Sequence, residues 1–135
     1  PNKKTLFYGE TDLNNVHLKE YDLIFLPNWE IKKIQNNEVD FTINKNSLGE
    51  MNSDAAYNYI EHINRVSKYF FSMNHEFYRN KFSSNLRSLI NKEFNNKGKF
   101  KELMRYPDLG HLTFDNDKIN FETDIFFYIY EKIKE

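Results

Sequence analysis

An α/β fold with a mostly parallel sheet is what this sequence predicts, and three observations predict it. Tyr21 to Leu26, Val39 to Asn44 and Lys68 to Met73 are short apolar runs, each halted by a polar loop. Between the second and third lies a segment, Ala55 to Val66, whose apolar residues recur at helical spacing. Strand–loop–helix–strand units in succession favour parallel pairing with right-handed crossovers. Residues 1–135 read as a single α/β unit, because no repeat and no Pro-, Gly- or Ser-rich linker divides them.

Each element has a local reason. Thr5 to Tyr8 suits a short strand ended by Gly9, and Asp12 to Glu20 is polar and ambiguous. Tyr21 to Leu26 is a strand stopped by Pro27-Asn28, with Asn28 placed to cap a helical turn through Trp29, Ile31 and Ile34. About a dozen residues then lead to the strand Val39 to Asn44, near the minimum for a parallel crossover. Asn52 or Ser53 caps the next helix, and Asp54 favours its dipole. Lys68 to Met73 is the third strand, ending at Asn74-His75-Glu76. Leu86, Leu89, Ile90 and Phe94 suit a further helix capped by Ser83 or Ser84 and ended by Asn95 to Gly98. Pro107 to Gly110 is a turn, and His111 to Phe114 with Lys118 to Phe121 forms a hairpin. Ile125 to Tyr130 reads as a buried strand, although Phe126, Ile129, Tyr130 and Ile133 also fit a helical face.

Composition narrows the function. A chain of 135 residues suffices for one core, and Phe 13 with Tyr 9 supplies buried area that the low mean hydropathy hides. A net charge of −1 argues against a basic nucleic-acid face. The absence of cysteine excludes disulfides, a thiolate nucleophile and Cys-based metal sites, and fits a cytoplasmic address. No window approaches the roughly 18 apolar residues of a membrane span, and no signal peptide is visible. The sequence starts at Pro1 and not Met, so processing or truncation is expected to have removed what came before.

In an open α/β sheet, ligands bind at the carboxyl ends of the strands. Asn44, Ser47 and Glu50 stand just past one such end, and Asn74, His75 and Glu76 end the next. The pattern Asp40-x-x-x-Asn44-x-x-Ser47-x-x-Glu50-Met51, followed by Tyr59-Ile60 and Tyr69-Phe70-Phe71-Ser72-Met73-Asn74, resembles the sugar O-methyltransferases. The upstream run Leu23-Ile24-Phe25-Leu26-Pro27 suits them as well, so the resemblance covers roughly Tyr21 to Asn74. That family is S-adenosylmethionine-dependent, with the class I Rossmann-like fold. The resemblance implies a partial Rossmann-like methyltransferase fold: a mostly parallel sheet, flanking helices and a C-terminal antiparallel strand or hairpin. None of the four glycines, Gly9, Gly49, Gly98 and Gly110, sits in a G-x-G cluster. These residues would therefore be the C-terminal portion, without the main S-adenosylmethionine loop, and little activity is expected of the chain alone.

The resemblance also implies roles. Asn44, Asn46, Ser47 and Asn74 would bind a sugar or glycan acceptor, while His75 and Glu50 are the catalytic candidates, with His75 as general base. Each has a plainer reading. Ser47 and Glu50 have the spacing of a capping box, and His75 suits an exposed loop. Asp40 suits a structural pairing. Trp29 suits core packing ahead of ring stacking on a ligand. His111 is a weaker candidate, His17 and His62 suit solvated faces, and the basic residues between Arg79 and Arg105 suit one too. No histidine pair shows metal spacing. A homo-oligomer is compatible with the sequence, and so is a rival class: a non-catalytic α/β interaction module.

Overall fold

The computed structural model describes residues 3–95, 98–111, 113–115, 118–120 and 123–133. Its strands are β1 (Thr5–Phe7), β2 (Leu23–Phe25), β3 (Val39–Lys45), β4 (Ser67–His75), β5 (Phe100–Pro107), β6 (Thr113–Asp115), β7 (Lys118–Asn120) and β8 (Ile125–Lys132). Among the described residues the one α-helix is α1 (Ser53–Val66), and short 3-10 turns fill several connections. The architecture is mixed α/β, with more strand than helix.

The unit β3–α1–β4 forms as its sequence pattern demands. The Asn52 side chain accepts from the Ala55 amide at 3.0 Å and so caps the helix. Ala56, Ile60, Ile63 and Val66 fall on one stripe and are buried. The helix stops at Val66, and Ser67 is already extended, so the chain enters β4 without a loop. β3 and β4 pair in parallel, with Thr42 beside Phe70 and Asn44 beside Ser72.

The sheet is not mostly parallel. Its order is β3-β4-β8-β5, and β8 runs antiparallel to both of its neighbours. β3, β4 and β5 therefore share one direction, with the last strand inserted against them. The expected parallel crossover from the second strand to the third is also corrected: β2 pairs with β1 in a separate two-stranded parallel sheet. Segment 28–33 between them is a 3-10 helix, too short to carry a strand back across a sheet. Asn28 lies inside that turn and does not cap it. The predicted hairpin forms with β6 and β7 as its strands, while His111 belongs to a 3-10 turn ahead of it and Phe121 lies outside the described residues.

Two further elements differ from the sequence reading. Residues 86–90 are extended and not helical. The Ser53 amide donates to the Arg87 carbonyl and the Ser88 amide to the Asn80 carbonyl, both at 2.9 Å. Those bonds to other segments replace the i→i−4 ladder, yet Leu89, Ile90 and Phe94 still reach the core. β5 was not foreseen at all. From Lys101 to Tyr106 it is exposed on both faces, as an edge strand can be, so it carries no alternating pattern.

One face of the sheet holds the core. Phe70, Phe100, Tyr128 and Tyr130 pack there with Ala56, Ile60 and Ile63 of α1, joined by Leu48, Leu89 and Phe94. Phe70 stacks on Tyr130 at 5.8 Å, and Tyr130 on Tyr128 at 5.4 Å. This confirms the aromatic run as a strand that supplies core. Burial pushes the Tyr128 phenol up to about 12 and raises Tyr130 as well. Tyr128 in the unfolded chain titrates near pH 10, roughly two units lower. The folded state thus keeps its proton longer, and the associated stability is complete below about pH 10 and lost as pH rises through the folded value. Urea midpoints recorded at increasing alkaline pH should fall through this window, and Tyr128→Phe should make the fall shallower.

Candidate functional site

Because β3 and β4 are parallel neighbours, their carboxyl ends form one rim. The chain leaves β3 through Asn46, whose φ of 51° lies in the left-handed region that asparagine tolerates. The Asn46 amide donates to the Met73 carbonyl at 2.8 Å, which ties the turn to β4. A 3-10 turn, Leu48–Glu50, follows and lays Leu48 into the core.

Two polar groups of contacts stand on this rim. The first is a buried string. Asn44 donates its amide to the Ser47 hydroxyl, while its carbonyl oxygen accepts from Asn74 Nδ2 at 3.0 Å and from the Leu48 amide at 3.3 Å. Asn74, wholly buried, also donates to Ser72 Oγ at 2.9 Å and accepts from the Gly49 amide at 3.0 Å. Ser72 donates to Asn91 Oδ1 at 2.6 Å, and Asn91 donates to the Phe126 carbonyl at 2.7 Å. Glycine at 49 has a packing reason, since a Cβ there would sit 3.2 Å from Asn74 Oδ1.

The second group surrounds His75. Its Nδ1 lies 2.7 Å from Asp124 Oδ2, and its Nε2 lies 3.5 Å from Glu50 Oε1. Asn80 Nδ2 donates to Glu50 Oε2 at 2.8 Å. One imidazole is thus held between two carboxylates, with about a quarter of its side chain open to solvent at 27%. An arrangement of this kind can accept or deliver a proton at Nε2 while Nδ1 stays engaged.

The structure brings together Asn44, Ser47 and Asn74 in the first group, and Glu50 and His75 in the second. Asn46 is exposed and enters through its backbone. The capping-box alternative is overturned: Ser47 makes no side-chain cap bond, and the Glu50 carboxylate points to Asn80 and His75. Asp124, Asn80 and Asn91 were missed. Asp124 was legible only as a polar residue just ahead of an apolar run, and it reaches the rim because β8 starts where β4 ends.

Other predicted residues fall elsewhere. Asp40 is exposed and so needs no buried partner. Trp29 is 57% exposed and meets Tyr8 edge-on, which corrects its expected core role. His17 is exposed, whereas burial and then Arg65 push the half-buried His62 below its usual range. The His111 side chain lies outside the described residues. Arg79 and Arg105 do not simply face solvent: Arg79 grips Glu93 through two 2.6 Å bonds, and Arg105 grips the buried Glu76. A hollow of about 990 Å³ lies at the opposite end of the sheet, lined by Asp40, His62, Arg65 and Lys132 among others. Arg65 there donates to the carbonyls of Ile31, Lys32 and Ile34, and Lys132 to Asn37, so these two cations hold the fold together.

Among the described residues, no group of three or more His, Cys, Asp or Glu is placed to hold a metal ion. No helix there is long and apolar enough to cross a membrane. No family model matches the chain, and no curated protein matches it.

Proposed function

We propose that this chain is the acceptor-binding, C-terminal part of an S-adenosylmethionine-dependent O-methyltransferase that modifies a sugar hydroxyl. The observation that carries the reading is His75 on the rim, with Nε2 directed toward Glu50 and the Asn44–Ser47 turn alongside. Methylation of an oxygen is an in-line displacement, so the protein must position the hydroxyl and take one proton from it. His75 Nε2 takes that proton, Glu50 accepts a hydrogen bond from a neighbouring hydroxyl, and Ser47 and Asn46 border the acceptor. Asn44 and Asn74 hold the turn in place. A last strand lying antiparallel between strands of the opposite sense also suits the resemblance.

The described residues offer no cradle for the methyl donor. Gly49, the glycine on the rim, is closed off by Asn74. The donor is therefore assigned to a glycine-rich loop that this sequence does not contain, and no step here passes through it.

The test is methyl transfer by the full-length gene product, from a labelled donor to sugar and glycan acceptors. His75→Gln should lower kcat by about 10²- to 10⁴-fold in a protein that still unfolds cooperatively in urea. Undiminished turnover in that variant would sink the proposal. A second reading, a non-catalytic interaction module, is favoured by the sheet face turned away from α1. Phe41 and Ile43 stand exposed there, Ile43 at 67%. It expects no turnover from the full-length protein with any acceptor, which the same assay reads.

A further inference from the structure

We infer that Asp124 is the positioning residue of His75, fixing which ring nitrogen is free to take a proton. The inference rests on the methyl-transfer reading for its role in turnover, but not for its geometry. A carboxylate has no proton to donate, so the 2.7 Å contact between Asp124 Oδ2 and His75 Nδ1 places the hydrogen on Nδ1. The neutral ring then has its lone pair at Nε2, on the side of Glu50 and the rim.

Asp124 is itself held. Its Oδ1 accepts from the Phe77 amide at 2.7 Å, and the Tyr78 amide is shared between Oδ1 at 3.3 Å and Oδ2 at 3.2 Å. Its carbonyl accepts from the Glu76 amide at 2.7 Å. The Tyr78 ring packs 5.3 Å from the imidazole and limits its swing. The same loop, through Asn80, holds Glu50 on the far side of the ring. Segment 76–80 thus clamps both carboxylates that flank His75, which is how a site is kept in one geometry before substrate arrives. When the acceptor hydroxyl gives its proton to Nε2, its oxygen keeps the electron pair. The imidazolium that results lies against Asp124.

Imidazole ¹⁵N NMR of the full-length protein, recorded with the ring neutral, reads the tautomer directly. The expected result is Nδ1–H for His75, and Nε2–H would overturn the assignment whatever the activity. In Asp124→Asn the amide oxygen can still accept from Phe77 and Tyr78, while Nδ2 donates to Nδ1 and drives the ring to Nε2–H. Turnover should then fall on the order of 10³-fold in kcat with KM changed less than about threefold. Asp124→Glu, which keeps the carboxylate, should recover part of the loss. An Asp124→Asn enzyme with undiminished kcat overturns the role, and should that variant fail to fold, the unsubstituted tautomer decides alone. Nδ1–H in a protein that transfers no methyl group overturns the reaction and leaves Asp124's hold on His75 standing.

Discussion

Asn74→Leu should lose about 3 kcal/mol of stability, a large share of what a domain this size has. Leucine has the same branching and the same heavy-atom count and is somewhat larger, so the loss does not come from a cavity. It comes from polar groups left behind in a place with no water to replace the amide. The Gly49 amide loses the oxygen it donates to. Asn44 Oδ1 loses one donor but keeps the Leu48 amide, and Ser72 loses one but keeps Asn91. A buried group stripped of its partner costs about 1–3 kcal/mol, and only Gly49 suffers this fully. Asn74→Asp separates this account from a simple size effect. Aspartate still accepts from Gly49 but cannot donate to Asn44 or Ser72 and buries a charge, so it should be at least as damaging. Urea unfolding with constant slope checks both, and a loss below about 1 kcal/mol for leucine would show the string to be dispensable.

Most of the central sheet was legible because its signals are local. Helical spacing from Ala55 to Val66 and the apolar runs on either side need no tertiary knowledge, and all three elements form. What failed needed partners from far along the chain. Leu86 to Phe94 carries a fair helical stripe, yet Ser88 bonds to Asn80 and Arg87 to Ser53. Intrinsic preference in such a short polar-flanked segment is too weak to resist those bonds. The pairing of β2 was misread for a related reason. Periodicity tells that a strand exists, not which neighbour it takes, and β2 takes β1.

The rim was legible from the rule that polar residues just past parallel strands face a ligand, and Glu50 does meet His75 there. The rule is silent about what crosses from an antiparallel strand. Asp124 lies 49 positions from His75 and joins it only because β8 inserts beside β4. Asn74 shows the opposite difficulty. Its place at a strand end suggested a group that greets the substrate, but its side chain points inward and spends its donors on Asn44 and Ser72. Neighbouring residues of a strand point to opposite faces, so Asn74 and His75 could not both greet a ligand, and sequence alone did not say which of the two faces the core.

Arg105→Met should cost about 3 kcal/mol, at the lower end of what removing one partner of a buried ion pair costs. Glu76 follows β4 directly and is 2% exposed, so its charge depends on what the fold supplies. Arg105 supplies Nη2 at 2.8 Å and Nε at 3.2 Å to one carboxylate oxygen, and the Tyr128 hydroxyl donates at 3.0 Å. Methionine keeps much of the arginine stem that packs over Phe126, where the guanidinium now sits 4.3 Å from the ring centre. The side chain of Arg105 is 41% exposed, which lets solvent share in the pair and keeps the cost from the top of the range. The reverse change is the informative control. Glu76→Gln removes the buried charge and leaves an arginine that can turn to water, so it should cost markedly less than Arg105→Met. Urea midpoints for the two variants and the double variant close the cycle, and a double variant no worse than Arg105→Met locates the loss in the stranded carboxylate. Because Glu76 lies next to His75 in sequence, Arg105→Met should also loosen the clamp at segment 76–80. Faster hydrogen exchange at the Phe77 and Tyr78 amides, which Asp124 otherwise holds, is the expected sign.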